Sequence, residues 1–176
     1  MIKNNFYIIT GGPGGGKTTL LEHFRLKGYP CVPETARQII KDRKSLGLPP
    51  RPDPLTFAIE IFRKDWSNYN SHIDKGPTFF DRSFIDSAWQ IFTADKKEYS
   101  FIEETYLSNR YNKKVFIAPP WKEIFQTDNE RDQSFDEAIE VYEELYEWYT
   151  ILGYELFVLP KDSIENRAGF ILDQIT

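Results

Sequence analysis

The chain has 176 residues, 40% of them hydrophobic and 28% charged, which predicts a single globular domain over residues 1–176 with one substantial core. A formal net charge of −5 and a pI near 5.2 argue against nucleic acid as a partner, because a phosphate backbone binds a basic face. The apolar runs are too short for a membrane span or a secretion signal, so we expect no membrane partner and a cytoplasmic location. Cys31 is the only cysteine, and His23 and His72 are the only histidines, which excludes an internal disulfide and a Cys/His metal cluster.

The first predicted element is a buried strand at residues 6–9, and it leads into the pattern G-x-x-x-x-G-K-[ST] at residues 11–18, the phosphate loop. Its glycines let backbone N–H groups turn inward around an anion, and the following helix offers its positive N-terminal end. We expect ATP to bind at Gly12, Pro13, Gly14, Gly15, Gly16, Lys17, Thr18 and Thr19. Lys17 would reach the β- and γ-phosphates, and the Thr18 hydroxyl would bind the bridging Mg²⁺. The alternative, a turn that matches by chance, is disfavoured by the helical spacing of the apolar residues that follow.

Turn and cap signals divide the rest of the chain into alternating helices and strands. Further strands are predicted at residues 31–32, 78–80, 114–118 and 155–159. Helices are predicted at residues 17–27, 35–46, 54–71, 85–93, 99–110, 135–152 and from about residue 163 to 175. This alternation predicts the α/β three-layer fold of P-loop NTPases, a five-stranded parallel sheet with helices on both faces.

Several residues are predicted to start or stop these helices. The starts are an Asp53 cap ahead of Pro54 and two capping boxes, Thr35 with Gln38 and Asp162 with Glu165. The stops are Gly28 and Gly153, which can adopt the left-handed conformation at a helix end.

Charged side chains follow two of the predicted strands at their carboxyl ends. Glu34 comes after the second strand, and Asp81 and Arg82 come at the end of the third. In a parallel sheet these ends converge on the phosphate loop. A kinase needs a carboxylate that accepts the proton of the attacking hydroxyl, a carboxylate beside Mg²⁺ and a cation for the transferred group. Alternatively, Glu34 and Asp81 cap the helices that follow, and Arg82 forms a surface ion pair.

Two segments around these residues resemble known kinases. VPETAR at residues 32–37 and FFDRS at residues 79–83 resemble the V-P-E-P and E-R-S segments of deoxynucleoside kinases and the D-R motif of thymidylate kinases. The wider layout is GGPGGGKTTLL, VPETARQII, APPW, a D-x-E-R segment and GYELFVLP. It resembles the AAA-type ATPase/kinase family of the ribosylnicotinamide kinase domain of NadR. The resemblance covers nearly the whole chain.

The resemblance implies a role for each charged residue. Glu34 would be the catalytic base, Asp81 a carboxylate on the Mg²⁺ side, Arg82 a cation at the acceptor hydroxyl and Arg131 the lid arginine. The chain departs from the family in three places: Asp81 replaces a glutamate, Thr35 replaces the second proline of V-P-E-P, and the strand at residues 114–118 carries no acid. The missing acid removes the usual Walker B carboxylate, which favours a kinase over a mechanical ATPase.

Two further regions are predicted to complete the site. The polar stretch at residues 119–134 is predicted to be a mobile lid, with the pair Pro120 and Trp121 at its hinge. The acceptor is predicted to contact Arg37, Gln38, Arg51, Glu60, Arg63 and Trp66. Trp66 could stack on a ring of the acceptor, although an aromatic residue at helical spacing more often packs in a core.

These signals predict an ATP-dependent kinase that transfers the γ-phosphoryl group to a hydroxyl of a small molecule, either a nucleoside or a ribosyl-nicotinamide-like compound. ATP is favoured over GTP because the sequence lacks an N-K-x-D-type guanine motif. The alternatives are a regulatory P-loop ATPase without a small-molecule acceptor and a nucleotide-binding protein without turnover. The acceptor's identity and the oligomeric state stay open.

Overall fold

A computed structural model describes residues 1–126 and 133–175 of the chain. Five strands form one sheet in the order β2-β3-β1-β4-β5, and every neighbouring pair runs parallel. The strands are β1 (Phe6–Gly11), β2 (Cys31–Val32), β3 (Thr78–Asp81), β4 (Lys114–Ala118) and β5 (Glu155–Val158). The five predicted strands are therefore confirmed, with shifts of one or two residues at three of their ends.

The helices in the described ranges agree with the prediction in number and order. They are α1 (Lys17–Leu26), α2 (Thr35–Ser45), α3 (Pro54–Ser71), α4 (Phe84–Ala94), α5 (Lys96–Ser108), α6 (Phe135–Ile151) and α7 (Ile164–Ile175), with a short 3-10 helix at Lys122–Ile124. The fifth helix begins three residues earlier than predicted because Asp95 caps it, accepting the N–H groups of Lys97 and Glu98. Over the same ranges, we find no helix with the length and apolar character needed to cross a bilayer.

The middle of the sheet is buried on both faces. All six residues of β1 and all four of β3 are buried, as expected for strands covered by helices on both sides. One face packs against α3, α4 and α6 through side chains such as Phe62, Phe84 and Tyr149. The other face packs against α1 and α7 through residues such as Phe24 and Ile171. The predicted arrangement of helices on both faces is therefore confirmed.

Parallel register brings the chemically interesting strand ends together. Ile9 of β1 pairs with Asp81 of β3, and Gly11 pairs with Ala118 of β4. The carboxyl end of β3 therefore lies beside the start of the phosphate loop. The end of β4 also reaches this loop, and it brings no carboxylate there.

The capping predictions succeed in part. Asp53 caps α3 by accepting the Thr56 N–H at 3.0 Å, with Pro54 in the first turn, as predicted. The Thr35 capping box is wrong, because α2 begins at Thr35 itself and its hydroxyl donates to Asp65 on α3 instead. A long-range hydrogen bond to a buried carboxyl has displaced the local cap.

The second predicted capping box is displaced by one residue. Ser163 rather than Asp162 caps α7, since its hydroxyl accepts the Asn166 N–H at 3.2 Å. The carboxylate of Asp162 accepts the N–H of Ser163 at 2.6 Å. Gly28 and Gly153 have φ values of 88° and 76°, so both helix ends use the predicted left-handed glycine.

Candidate active site

The phosphate loop connects β1 to α1 and needs glycine at several points, of which two show how other segments pack on it. Gly14 and Gly16 have φ values of 78° and 73°, a region that costs other residues about 1–2 kcal/mol. Both also lie in close contact with side chains. A Cβ atom at Gly14 would collide with the Phe125 ring, and one at Gly16 would lie 2.7 Å from Nη1 of Arg167. Two distant segments, the 3-10 helix region and α7, therefore pack directly on the loop.

The predicted phosphate-binding lysine lies inside this loop. Lys17 is only 6% exposed, and its Nζ donates to the carbonyl oxygens of Gly11 at 3.0 Å and Gly12 at 2.7 Å. The ammonium group is therefore held over the loop. Pro13 to Thr19 line the cleft described below, so seven of the eight residues predicted to bind ATP face it; Gly12 does not.

Thr18 and Asp81, the predicted Mg²⁺ residues, lie side by side. The Thr18 hydroxyl donates to Oδ2 of Asp81 at 3.4 Å, and Asp81 is 4% exposed. No described residue gives Oδ1 of Asp81 a hydrogen bond, although this atom is buried. Burial raises the pKa of Asp81 to about 6, and the nearby charge of Lys17 opposes that rise. A buried carboxylate oxygen without a partner, next to a hydroxyl, fits a hard cation such as Mg²⁺.

Arg82 follows Asp81 in a strained backbone conformation. Its φ is 69°, which makes it the one non-glycine residue of the described ranges with a positive φ. Its Nε lies 3.4 Å from Glu34 and its Nη1 lies 3.6 Å from Asp86. Burial lowers the pKa of Arg82, but the charges of Glu34, Asp86 and Asp81 outweigh this and the net pKa is raised. Arg82 is thus held in place between two carboxylates, and its ion pairs lie in the cleft wall, mostly buried, rather than on the open surface.

Glu34 lies at the junction of β2 and α2 with its carboxylate between three cations. Oε2 accepts a hydrogen bond from Nε of Arg37 at 3.0 Å, and Oε1 faces Arg82. Burial alone would raise the pKa of Glu34, but the charges of Arg82, Lys17 and Arg37 outweigh it and lower the pKa below its ordinary value. Glu34 is therefore ionised at neutral pH.

The alternative cap roles of the two acids are wrong. Glu34 occupies the position before α2 but makes no side-chain cap hydrogen bond. The residue that caps α4 is Ser83 rather than Asp81, and Asp86 completes a capping box with it. Neither acid is needed to start a helix, so both are available for chemistry.

Asp86 is an important residue that the sequence reasoning missed. Its Oδ2 accepts from the Ser83 N–H at 3.1 Å and from the Tyr149 hydroxyl at 2.6 Å, and its Oδ1 accepts from the Thr10 hydroxyl. This network joins β1, α4 and α6 around the carboxylate that faces Arg82. The S-x-x-D spacing from Ser83 was the signal that could have revealed it.

Arg167 on α7 is the second residue that was missed. It is 1% exposed, its Nη2 donates to the Gly15 carbonyl oxygen at 2.9 Å, and its guanidinium carbon lies 5.6 Å from the centre of the Trp121 ring. Its Nε and Nη1 are buried without a hydrogen-bond partner among the described residues. Burial lowers the pKa of Arg167. The contact with Gly15 spans 152 residues, so no local sequence signal predicts it.

A cleft of about 1000 Å³ connects most of these groups, although neither Asp81 nor Gly12 lines it. One end lies along the phosphate loop, beside Trp121 and the start of α7. The other end lies between α2, α3 and α4, and is lined by Ile40, Phe57, Ile61, Asp65, Ser87 and Gln90. Glu34 and Arg82 also line this cleft, together with the residues of both ends. This shape can hold a nucleotide and a second molecule in one continuous space.

The predicted acceptor residues are placed correctly only in part. Arg37 and Arg51 line the cleft, whereas the other four lie outside it. Gln38 bonds Asp42, Glu60 pairs with Arg43 at 2.8 Å, Arg63 is exposed, and Trp66 stacks on Tyr69 with ring centres 5.6 Å apart. Trp66 is therefore a packing residue, as its helical spacing suggested. The face of α3 that meets the cleft is the one that carries Phe57, Ile61 and Asp65.

The predicted lid is described only up to residue 126 and again from residue 133. Within the first part, Phe125 packs on Gly14 and on Phe135, the latter with ring centres 5.3 Å apart. Trp121 covers Arg167. Arg131, the predicted lid arginine, lies outside the described residues. In the described part, this segment therefore runs across the phosphate loop.

The parallel sheet, with its central strand leading into the phosphate loop, defines the fold of P-loop NTPases. The family model for an AAA domain matches residues 6–167, and the chain belongs to that family. No curated protein sequence matches the chain.

Solved structures show the same fold. A crystal structure of NadR protein in complex with NR superposes with a TM-score of 0.73 at 16% identity, covering 98% of this chain and 50% of the NadR chain. The chain thus spans about half the length of that relative. Deoxyadenosine kinase from M. mycoides, with the products dCMP and dCDP, superposes with a TM-score of 0.70 at 14% identity, covering 97% of this chain and 98% of the kinase.

Proposed function

We propose that this protein is a kinase that transfers the γ-phosphoryl group of ATP to a hydroxyl of a small molecule, either a nucleoside or a ribosyl-nicotinamide-like compound. The observation that carries this proposal is the position of the Glu34 carboxylate. Its ionised carboxylate lies on the wall of the cleft, where the charges of Lys17 and Arg82 both act on it. A base in this position can meet an acceptor hydroxyl and the phosphate loop at the same time.

Each of the site residues has a separate role in the proposed reaction. Backbone N–H groups of the phosphate loop and Lys17 hold the phosphates, and Arg82 stabilises negative charge on the transferred group. Glu34 accepts the proton of the acceptor hydroxyl while the hydroxyl oxygen forms its bond to the γ-phosphorus. The bond between that phosphorus and the bridging oxygen of ADP breaks. Mg²⁺, when bound, would be held by Thr18 and Asp81 and would neutralise phosphate charge.

The arrangement of acids favours a kinase over a regulatory ATPase. The end of β4 beside the phosphate loop carries no carboxylate, whereas the end of β3 carries Asp81 and Arg82. The space between α2, α3 and α4 gives a second molecule access to Glu34. The names of the structural neighbours support the same class, since one was solved with NR and the other is a deoxyadenosine kinase.

The test is acceptor-dependent release of ADP. Purified protein with Mg·ATP is incubated with deoxyadenosine, deoxycytidine, thymidine, nicotinamide riboside and pantothenate, one at a time. We expect at least one of the nucleoside-like compounds to raise ADP release at least tenfold and to appear as its phosphate. Slow ATP hydrolysis that none of these compounds changes would overturn the kinase proposal in favour of a regulatory ATPase.

A further inference from the structure

The acceptor end of the cleft contains a buried carboxyl group that the proposed transfer does not use. Asp65 on α3 lines the cleft and is only 7% exposed. It lies on the buried face of its helix, in series with Ala58, Phe62 and Tyr69. A charged residue at such a position is uncommon unless it is paired or functional.

The hydrogen bonds of Asp65 leave one oxygen open. Oδ1 accepts from the hydroxyl of Thr35, and the side-chain amide of Asn68 donates to the same hydroxyl oxygen at 3.4 Å. The Thr35 proton is therefore directed at Asp65 and fixes the orientation of its carboxyl group. No hydrogen bond reaches Oδ2 from the residues that the structure describes. This second oxygen is the one that a ligand in the cleft can use.

The surroundings favour the neutral form of this carboxyl group. The pKa of Asp65 is raised to about 8, and burial is the largest cause. The charges of Asp86 and Glu34 on neighbouring elements contribute to this rise, while the Thr35 hydrogen bond and the charge of Arg82 oppose it. No cation pairs directly with Asp65 within the described ranges. At neutral pH the open oxygen therefore carries a proton and acts as a donor.

Three apolar side chains line the cleft near Asp65 and suit a flat ring, while Ser87 and Gln90 of α4 add polar groups at the same end. Ile61 lies about one turn and Phe57 about two turns before it on α3, and Ile40 lines the same end of the cleft from α2. Thr35, which orients Asp65, directly follows Glu34 in the chain. A molecule that places its ring beside Asp65 can therefore present a hydroxyl near Glu34.

We propose that Asp65 determines acceptor specificity, by donating a hydrogen bond from its neutral carboxyl group to a ring nitrogen or carbonyl oxygen of a planar heterocycle. The acceptor class is then a nucleoside-like molecule whose ring carries such an acceptor atom. A purely aliphatic alcohol offers no such acceptor atom to the buried Asp65 donor, which penalises its binding. This inference rests on the proposed kinase function.

The experiment compares two substitutions at Asp65 over a range of pH. Asp65→Asn keeps an N–H donor and an oxygen for Thr35 but cannot ionise, while Asp65→Leu removes both groups. The probes are deoxyadenosine, deoxycytidine and nicotinamide riboside, and KM for the probe, KM for ATP and kcat are measured between about pH 7 and about pH 9.5. Asp42→Asn, an exposed substitution on α2, is the matched control.

For the wild type and the Asp42→Asn control, we expect the acceptor KM to rise about tenfold or more as pH passes about 8, with little change in KM for ATP. Asp65→Asn should keep an acceptor KM close to the wild-type value at about pH 7 and show no rise at higher pH. Asp65→Leu should raise the acceptor KM about 10- to 100-fold at every pH. Mg·ATP binding confirms that each variant is folded.

Three results would overturn the assignment of Asp65. The first is a wild-type acceptor KM that stays constant as pH passes about 8. The second is an Asp65→Asn enzyme whose acceptor KM is as high as that of Asp65→Leu. The third is an Asp65→Leu enzyme whose acceptor KM is as low as that of the wild type. If Asp65→Leu does not fold, the wild-type and Asp65→Asn pH profiles decide the question. Failure of the wild type to phosphorylate any probe is a different result, because it removes the kinase function itself.

Discussion

The carboxylate of Glu34 lies 3.4 Å from the guanidinium of Arg82, and the two residues come from the ends of neighbouring strands. Arg82 reaches this position through a left-handed backbone, with φ at 69°. Such strain persists only where the surroundings enforce it, and here Asp86 and the parallel register of β3 do so. The pair places a base and a cation at one point of the cleft wall.

Replacing Glu34 by glutamine should separate transfer from nucleotide binding. The amide cannot accept the proton of the acceptor hydroxyl, so we expect phosphoryl transfer to fall by about 10²–10⁴-fold. Binding of Mg·ATP, measured by calorimetry, should change little. Because the pKa of Glu34 is lowered, this carboxylate should become protonated only at pH values below the ordinary pKa of glutamate. Wild-type transfer should therefore slow for this reason only in that acidic range.

Glu60→Gln is the matched control, because Glu60 pairs with Arg43 outside the cleft. It should leave the transfer rate unchanged. Equal transfer rates in Glu34→Gln and wild type would show that Glu34 is not the base.

Lys17→Ala should remove most of the stabilisation that Mg·ATP provides. A ligand at 100 times its Kd stabilises the folded state by about 2.7 kcal/mol, and the lost ammonium group weakens phosphate binding. The measurement is the thermal midpoint with and without Mg·ATP. Lys27→Ala, just after α1 and exposed, should keep the full shift. A full shift in Lys17→Ala would remove the phosphate-binding role of this lysine.

Asp81→Asn should stabilise the protein without ligand at neutral pH. The pKa of Asp81 is raised from 3.8 to about 6, so the folded state holds the proton more tightly than the unfolded chain. The contribution of Asp81 to wild-type stability should therefore decline as pH rises from about 4 to about 6 and then level off, a loss of at most about 3 kcal/mol relative to Asp81→Asn. Asparagine avoids this loss, but it should also remove the Mg²⁺-dependent part of the ATP-induced shift.

Thermal unfolding between about pH 4 and about pH 8, with EDTA or with Mg·ATP, measures both effects of the Asp81 substitution. Asp173→Asn on the exposed side of α7 is the control and should follow the wild-type curve. A less stable Asp81→Asn protein that keeps the full Mg²⁺ effect would mean that Asp81 serves the fold rather than the metal.

Gly14→Ala should lower both stability and ATP affinity. Alanine at a φ of 78° costs about 1–2 kcal/mol, and its Cβ collides with Phe125. Adding Phe125→Ala should relieve the collision but leave the backbone cost. Gly169→Ala, inside α7 with no atom near its Cβ position, should instead stabilise by up to about 1 kcal/mol. Thermal unfolding of the wild type and these three variants measures the differences. A Gly14→Ala protein as stable as the wild type would contradict the strained conformation of the loop.

We also propose that residues 119–134 close over bound nucleotide, as a lid. In the described part, Phe125 and Trp121 already contact the loop region through Gly14 and Arg167. Amide hydrogen exchange at residues 121–126 should slow when a non-hydrolysable ATP analogue is added. Exchange at residues 85–91 of α4 is the internal control. Equal rates at residues 121–126 in both states would exclude nucleotide-driven closure.

The local features of this protein could be predicted from sequence alone. The phosphate loop is a contiguous motif, so backbone geometry that glycine permits is enough to define it. Strands and helices follow from apolar spacing and turn residues, and all predicted elements are present in the described ranges. Glu34, Asp81 and Arg82 could be grouped because parallel strands bring their carboxyl ends to one edge.

Only the tertiary structure decided which side chains meet across long stretches of chain. Thr35 was predicted to cap its own helix, yet its hydroxyl donates a hydrogen bond to a buried carboxyl group thirty residues away. Arg167 meets Gly15 across 152 residues. Likewise, the cleft contacts the face of α3 with Asp65 rather than the face with Trp66. Which side chains meet depends on how the helices rotate as they pack on the sheet. The free energy gained by burying a whole helix face outweighs that of any single local hydrogen bond.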